Sequence, residues 1–159
     1  MDIQVRRFEN RDAESVTRLV ARTLRESNRQ DYAEAYIEAD VRRLSATFFV
    51  EKAAQTHFYV FAHQAQIIGT GAIGSYWGSE TEFSLFDIFV RPDYQGQGVG
   101  RLILETLESD PYFKRAERVE IPASITGLAF YRHMGYDFKN GLAELDDEQL
   151  YRLEKRRGS

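Results

Sequence analysis

Phe83-Ser84-Leu85-Phe86-Asp87-Ile88-Phe89-Val90-Arg91-Pro92-Asp93-Tyr94-Gln95-Gly96-Gln97-Gly98-Val99-Gly100-Arg101 is the stretch on which the fold turns. Residues 83–90 are a near-continuous apolar run, the pattern of a strand covered on both faces. Pro92 stops that strand from pairing further. A loop with glycines at alternate positions follows, Gly96, Gly98 and Gly100, and a helix begins inside it. Glycine lets the backbone turn its N–H groups inward and removes the Cβ that would bar a ligand. The helix start adds unpaired donors and the positive end of the macrodipole. Together these make an anion site suited to a phosphate or pyrophosphate.

Outward from this segment, the hydrophobic period gives the remaining elements. Residues 3–8 alternate around Ile3 and Val5 and predict a short strand. Asp12 stands at an N-cap position, with Ala13, Val16, Leu19, Val20 and Leu24 at helical spacing behind it. A second helix is expected from near Asp31, with Glu34 completing a capping-box pattern and Tyr36, Ile37, Val41, Leu44 and Phe48 on its apolar face. Strands follow at 58–62 and 66–76, joined by a polar turn at 63–65. Gly69, Gly71 and Gly74 interrupt the second strand, which points to a bulge or a close backbone approach. Downstream, 99–108 reads as a helix, 118–121 as a strand, and 125–134 as a helix closed by Gly135. Short strands are expected at 136–138 and 150–153. The order β-α-α-β-β-β-α-β-α-β-β predicts a mixed sheet with helices on both faces.

Composition bounds the function. With 159 residues the chain is of single-domain size, and one domain over 1–159 is expected. Twenty-one basic residues against 25 acidic ones give a net charge of −4, which offers nothing to nucleic acid and mildly favours a cationic ligand such as an amine. Cysteine is absent, which excludes disulfides, thiolate metal sites and a cysteine nucleophile, and fits a cytoplasmic location. Residues 1–7 lack an apolar core, so no signal peptide is expected. No apolar run approaches the ~20 residues that span a bilayer, so no membrane partner is expected.

Two common anion loops fail on spacing. A phosphate loop of the Walker type needs Lys-Ser or Lys-Thr after its last glycine, and here Gly100 is followed by Arg101-Leu102. A dinucleotide fingerprint counted from Gly96 or Gly98 lands on Arg101 or Ile103. What remains is Q-x-x-G-x-G, filled by Gln95, Gly98 and Gly100 after the hydrophobic strand and Val90-x-Pro92. This segment resembles the acetyl-coenzyme A signature of the GNAT N-acetyltransferase superfamily. A second match is Ser124-Ile125-Thr126-Gly127-Leu128-Ala129-Phe130-Tyr131-Arg132-His133-Met134-Gly135-Tyr136, which resembles that family's later helix. The family often has Asn at the position of Ser124 and Ala at that of Gly127; Ser124 can still act as an N-cap.

The resemblance implies an α/β (α+β) GNAT fold: a central mixed, mostly antiparallel sheet of six to seven strands flanked by about four helices. It implies acetyl transfer from acetyl-coenzyme A to a primary amine of a small molecule or peptide, by direct attack in a ternary complex. Ile88, Phe89 and Val90 would run beside the pantetheine arm, and a backbone N–H near Val90 would polarise the thioester carbonyl. Gln95, Gly96, Gln97, Gly98, Val99, Gly100 and Arg101 would hold the pyrophosphate, with Ser124 and Tyr131 also at the cofactor. Tyr131 falls where the family's tyrosine protonates the departing thiolate. Several relatives carry Glu six residues before the position of Val90, where this chain has Ser84. The base is therefore open: Asp87, alternatively a structural carboxylate pairing a neighbouring strand, with Glu82 and Glu120 as further options. A non-catalytic acyl-coenzyme A binding module is the alternative function. Dimers are common among relatives, so a homodimer fits the resemblance.

Other features carry less. His57, His63 and His133 are scattered, lack an i, i+4 partner, and read as surface residues; no metal site is expected. No Gly-x-Ser-x-Gly elbow accompanies any serine, so a hydrolase triad has no support. Tyr32, Tyr36, Tyr76 and Trp77 are either acceptor-pocket or core aromatics. Lys155-Arg156-Arg157 reads as a solvated tail, with a contact to the cofactor's 3′-phosphate as the other option.

Overall fold

The computed structural model describes residues 1–157. Its strands are β1 (Gln4–Arg7), β2 (His57–His63), β3 (Gln66–Ser75), β4 (Glu82–Val90), β5 (Arg118–Ala123), β6 (Asp137–Phe138) and β7 (Tyr151–Arg156). Its helices are α1 (Ala13–Ser27), α2 (Glu34–Arg42), α3 (Ala46–Gln55), α4 (Val99–Glu108), α5 (Pro111–Arg115) and α6 (Leu128–His133). The strands form one sheet in the order β1-β2-β3-β4-β5-β7-β6, antiparallel except between β4 and β5. One core lies under α4 and includes Ile103, Leu104 and Leu107 against Phe61, Ile68, Phe83 and Leu85. The other lies under α1 to α3, with Val16, Val20 and Phe49 against Phe58, Val60 and Ala72. This is the mixed, mostly antiparallel sheet expected, with six helices in place of about four.

The differences have local causes. The helix expected from Asp31 starts at Glu34 and ends at Arg42; Ser45 then caps a separate α3 by accepting from the Phe48 N–H at 3.0 Å. Asp12 does not cap α1. Its carboxylate accepts from the Glu9 N–H at 2.8 Å and pairs with the Arg6 guanidinium at 2.8 and 2.9 Å. Asp110 and Pro111 start α5, which the periodicity left unassigned: the Asp110 side chain accepts from Tyr112 N at 2.8 Å. Lys155-Arg156-Arg157 is no solvated tail. Lys155 sits in β7 and reaches Glu108 at 3.0 Å, and Arg157 donates to Ala116 O at 3.0 Å.

The glycines of β3 work as expected. A Cβ on Gly71 would meet Ile103 Cγ2 at 2.6 Å, so α4 can lie close against the strand only because no side chain is there. Opposite Gly71, β4 carries an extra residue: Thr70 pairs Phe89 and Ala72 pairs Phe86, leaving Asp87 and Ile88 against one partner. Asp87 takes the left-handed conformation, φ 50°. The insertion reverses the alternation of β4. Phe83 and Leu85 pack in the α4 core, but beyond the bulge it is Ile88 and Val90 that do so, while Phe86 and Phe89 face α1 to α3.

Candidate functional site

The parallel pairing of β4 with β5 covers only Glu82–Ser84 against Arg118–Glu120. From Leu85 onward that edge of β4 is left without a partner strand, and the two strands part. A cavity of about 430 Å³ fills the gap. Its walls come from β4 residues 85–90, the ends of α1 and β5, α2, α3, and the Phe130 and Tyr131 pair of α6.

The uncovered edge has defined polarity. Arg91 N donates to Ile68 O at 2.8 Å, so by antiparallel alternation Val90 and Ile88 turn their own backbone groups away from β3. The Val90 carbonyl is already met by the Gln95 side chain at 3.0 Å, and the same amide reaches Ser27 Oγ of α1 at 2.8 Å. Gln95 N donates to Pro92 O at 3.3 Å. Gln95 thus ties the loop to β4 and α1 and has no N–H left for an anion, which narrows the expected set of amide donors. Those of Gly96, Gln97, Gly98, Val99, Gly100 and Arg101 have no partner among the described residues.

Gly96 and Gly98 have φ of 75° and 86°, and a Cβ on either would point into open space. Backbone conformation, not packing, therefore requires glycine at these two positions. Gly98 stands at the N-cap of α4. At Gly100 a Cβ would crowd the Phe130 ring at 3.2 Å, so this glycine joins α4 to α6.

Ser124 caps a turn rather than a helix: its Oγ accepts from Gly127 N at 3.0 Å, and α6 begins only at Leu128. Gly127 makes room for Tyr131, whose Cε2 would lie 2.9 Å from a Cβ there. Tyr131 is buried at the cavity wall, and burial raises its phenol pKa.

Asp87 differs from every other carboxylate of the site. Its backbone carbonyl accepts from Thr70 Oγ1 at 2.7 Å, but Oδ2 is shut off from solvent without a hydrogen-bond partner among the described residues. The carboxylate does not pair with a neighbouring strand. Burial pushes its pKa up to about 6, against an opposing pull from Lys52. Glu82 and Glu120 are instead occupied. Arg118 donates to Glu82 at 2.6 Å, to Glu120 at 2.9 Å and to Glu154 at 3.1 Å, and Lys139 reaches Glu120 at 3.0 Å. Ser84 is buried beside Glu120 at the foot of the cleft, where its hydroxyl meets only Leu85 O at 3.4 Å.

Of the aromatics, Tyr32 and Tyr36 line the cavity, stacked at 4.7 Å. Tyr32 accepts from Ile125 N at 2.9 Å and donates to Gln149 O at 2.8 Å, and Tyr36 donates to Glu148 O. Tyr76 and Trp77 do not line it; Trp77 is 90% exposed in the β3–β4 turn. His57 is no free surface residue: its Nδ1 lies 2.9 Å from the buried Asp110 carboxylate. His63 bonds Tyr94 at 2.7 Å, and His133 is exposed. Lys52, Asp40 and Phe48 line the cavity from α2 and α3; sequence periodicity could assign them only to helix faces. Among the described residues no cluster of His, Cys, Asp or Glu could hold a metal ion, and no helix is long and apolar enough to cross a membrane.

Comparison with known proteins agrees with this architecture. Residues 54–137 match the family model described as the acetyltransferase (GNAT) domain, slightly more than half the chain. An uncharacterised N-acetyltransferase, ycf52, of Gracilaria tenuistipitata var. liui is 27% identical over 60 residues, 36% of this chain. That match spans 33% of the relative's own length. Among solved structures, the paia N-acetyltransferase of Thermoplasma acidophilum in complex with coenzyme A superposes with a TM-score of 0.83 at 18% identity, covering 98% of this chain and 99% of that one. A GNAT family acetyltransferase of Brucella melitensis in complex with acetyl-CoA gives 0.67 at 14% identity, over 99% and 90%. At such identities these likenesses concern the fold alone.

Proposed function

From the premise that the chain belongs to the acetyltransferase (GNAT) domain family, we propose that residues 1–159 act as one acetyl-coenzyme A-dependent N-acetyltransferase domain. The acceptor is a primary amine of a small molecule or peptide, which attacks directly within a ternary complex. The observation that carries this reading is the sequence of two backbone surfaces: the edge of β4 beyond Ser84, which has no partner strand and leaves the Val90 N–H free, and the six unpaired amides of 96–101 in the loop that follows it. Their chemistry fits an extended amide-bearing arm ending in a pyrophosphate, with the exposed Arg101 beside it. Bound acetyl-coenzyme A supplies the thioester.

The chain's own groups divide the remaining work. Asp87 takes the proton from the incoming ammonium, because a carboxylate titrating near 6 is ionised at neutral pH yet basic enough to accept it. The Val90 N–H points along the cleft and donates to the carbonyl oxygen as negative charge develops there. Tyr131, kept protonated by burial, gives its proton to the departing thiolate as the C–S bond breaks and recovers one from the acylated nitrogen, so it ends neutral. Glu82 and Glu120 play no part as bases, since their oxygens are held by Arg118 and Lys139.

Thiol release with a panel of amines tests the transfer. Tight coenzyme A binding with no release for any amine would leave only the binding-module alternative. Gly98→Glu tests the pyrophosphate site. A side chain at φ 86° costs about 1–3 kcal/mol, and its charge faces the anion, so coenzyme A affinity should fall about 100-fold or more by calorimetry. Unchanged affinity would remove the assignment.

A further inference from the structure

The acceptor side of the cavity is lined by two charged groups that no ion pair engages. Asp87 Oδ2 is one. The other is Lys52, the one basic side chain lining the cavity among the described residues. Lys52 is half-buried on α3, its Nζ rests 3.6 Å above the Phe86 ring, and that amine makes no ion pair or hydrogen bond among the described residues. Asp40, the remaining charge on the wall, is held by Arg43. Lys52 and Asp87 face the same space without joining each other, although a lysine of that length beside a lone carboxylate would ordinarily close the pair. The protein neutralises neither charge, and a ligand bearing the two opposite charges would pair both.

We propose that the acceptor is a zwitterion, an amine that also carries a carboxylate, bound with its amine at Asp87 and its carboxylate at Lys52. The inference rests on the reading of Asp87 as the base and of this cavity as the acceptor site. Charge balance selects the class. A carboxylate and an ammonium cancel Lys52 and Asp87 one for one. A second ammonium, as in a diamine, would be repelled by Lys52, and a phosphate dianion would leave an excess charge opposite a single point donor. Tyr32, Tyr36, Phe48 and Phe86 on the same wall suit an apolar or aromatic side chain. The acceptors that fit are therefore apolar amino acids with a free amine.

The test uses matched pairs differing only in the carboxylate: leucine, phenylalanine and tyrosine against isoamylamine, phenethylamine and tyramine. With the intact protein, kcat/KM should favour the amino acid of each pair. Lys52→Met, which keeps the stem over Phe86, should reduce that preference about 10- to 100-fold, the worth of one charge-assisted hydrogen bond, mainly through KM. Lys52→Arg should retain most of it. If Lys52 only tunes Asp87, both members of a pair will change alike, which overturns the proposal; so does a wild-type preference for the bare amine. Calorimetry on the coenzyme A-loaded protein runs in parallel. Should nothing turn over, the transfer reading fails, while tighter, Lys52-dependent binding of the amino acids would still sustain the zwitterion site. Equal or absent binding of both members would overturn it.

Discussion

The β4–β5 seam has two ends, and each buries a carboxylate in an opposite manner. At the closed end the strands pair, and Glu120 is surrounded by Arg118, Lys139 and, at 3.8 Å, Arg152. At the open end the strands have parted, and Asp87 keeps an oxygen with no partner. Burial alone therefore does not mark a chemical group. A carboxylate saturated by cations holds strands together, whereas one left unsatisfied beside a cavity is available to take a proton.

The comparison breaks most sharply at Asp87. Asp87→Asn should lower kcat about 10²- to 10⁴-fold, the usual worth of a positioned base. Wild-type kcat/KM should rise with pH through about 6, and the variant should lack that limb. The next largest effect belongs to the closed end. Arg118→Met leaves Glu120 and Glu154 short of a donor and should cost about 3–5 kcal/mol in urea denaturation. If it unfolds no more easily than wild type, the network is not structural.

A smaller effect, opposite in sign, returns to the open end. The folded-state pKa of Asp87 lies above the unfolded value of 3.8, so ionisation weakens the fold. That penalty is absent below about pH 3.8, grows up to about 6, and is complete above it, at about 3 kcal/mol. Asp87→Asn should therefore melt above wild type at pH 8, and the gap should close toward pH 4. The smallest change is expected of Tyr131→Phe: turnover down about 100-fold, the low end for a positioned acid, with coenzyme A affinity retained, read by stopped-flow thiol release and calorimetry. Full turnover would take Tyr131 out of the reaction.

What could be read from the sequence divides along the same seam. Val99–Glu108 matched its helix, and the glycines of 96–100 and β3 marked a loop and a close approach that are present. These signals are local, because positive φ and helix starts depend on a few adjacent residues. The Asp110-Pro111 start of α5 was also local and could have been found from its cap and proline. The acceptor wall was not legible. Lys52, Asp40 and Phe48 come from two helices that the apolar pattern ran together, and they meet Phe86 and Asp87 only once the sheet has formed. Nor could residues 83–90 disclose which member is the extra one, because an inserted residue is defined by what lies opposite it on β3.

That extra residue makes β4 behave like text with a reading frame. Upstream of Asp87 one parity of positions faces α4; downstream the other parity does. A substitution at any single position of the strand is a local edit. Removing one residue between 86 and 88 would close the bulge and merge the two frames: Phe86, one residue, Phe89 and Val90 would oppose Ala72, Gly71, Thr70 and Gly69 in plain alternation. Val90 would still face α4 and Phe89 α1 to α3, and the left-handed turn at Asp87 would be gone. The extra residue is thus confined to the place opposite Gly71, where it changes which side chain meets the cavity and leaves the pairing on either side as it was.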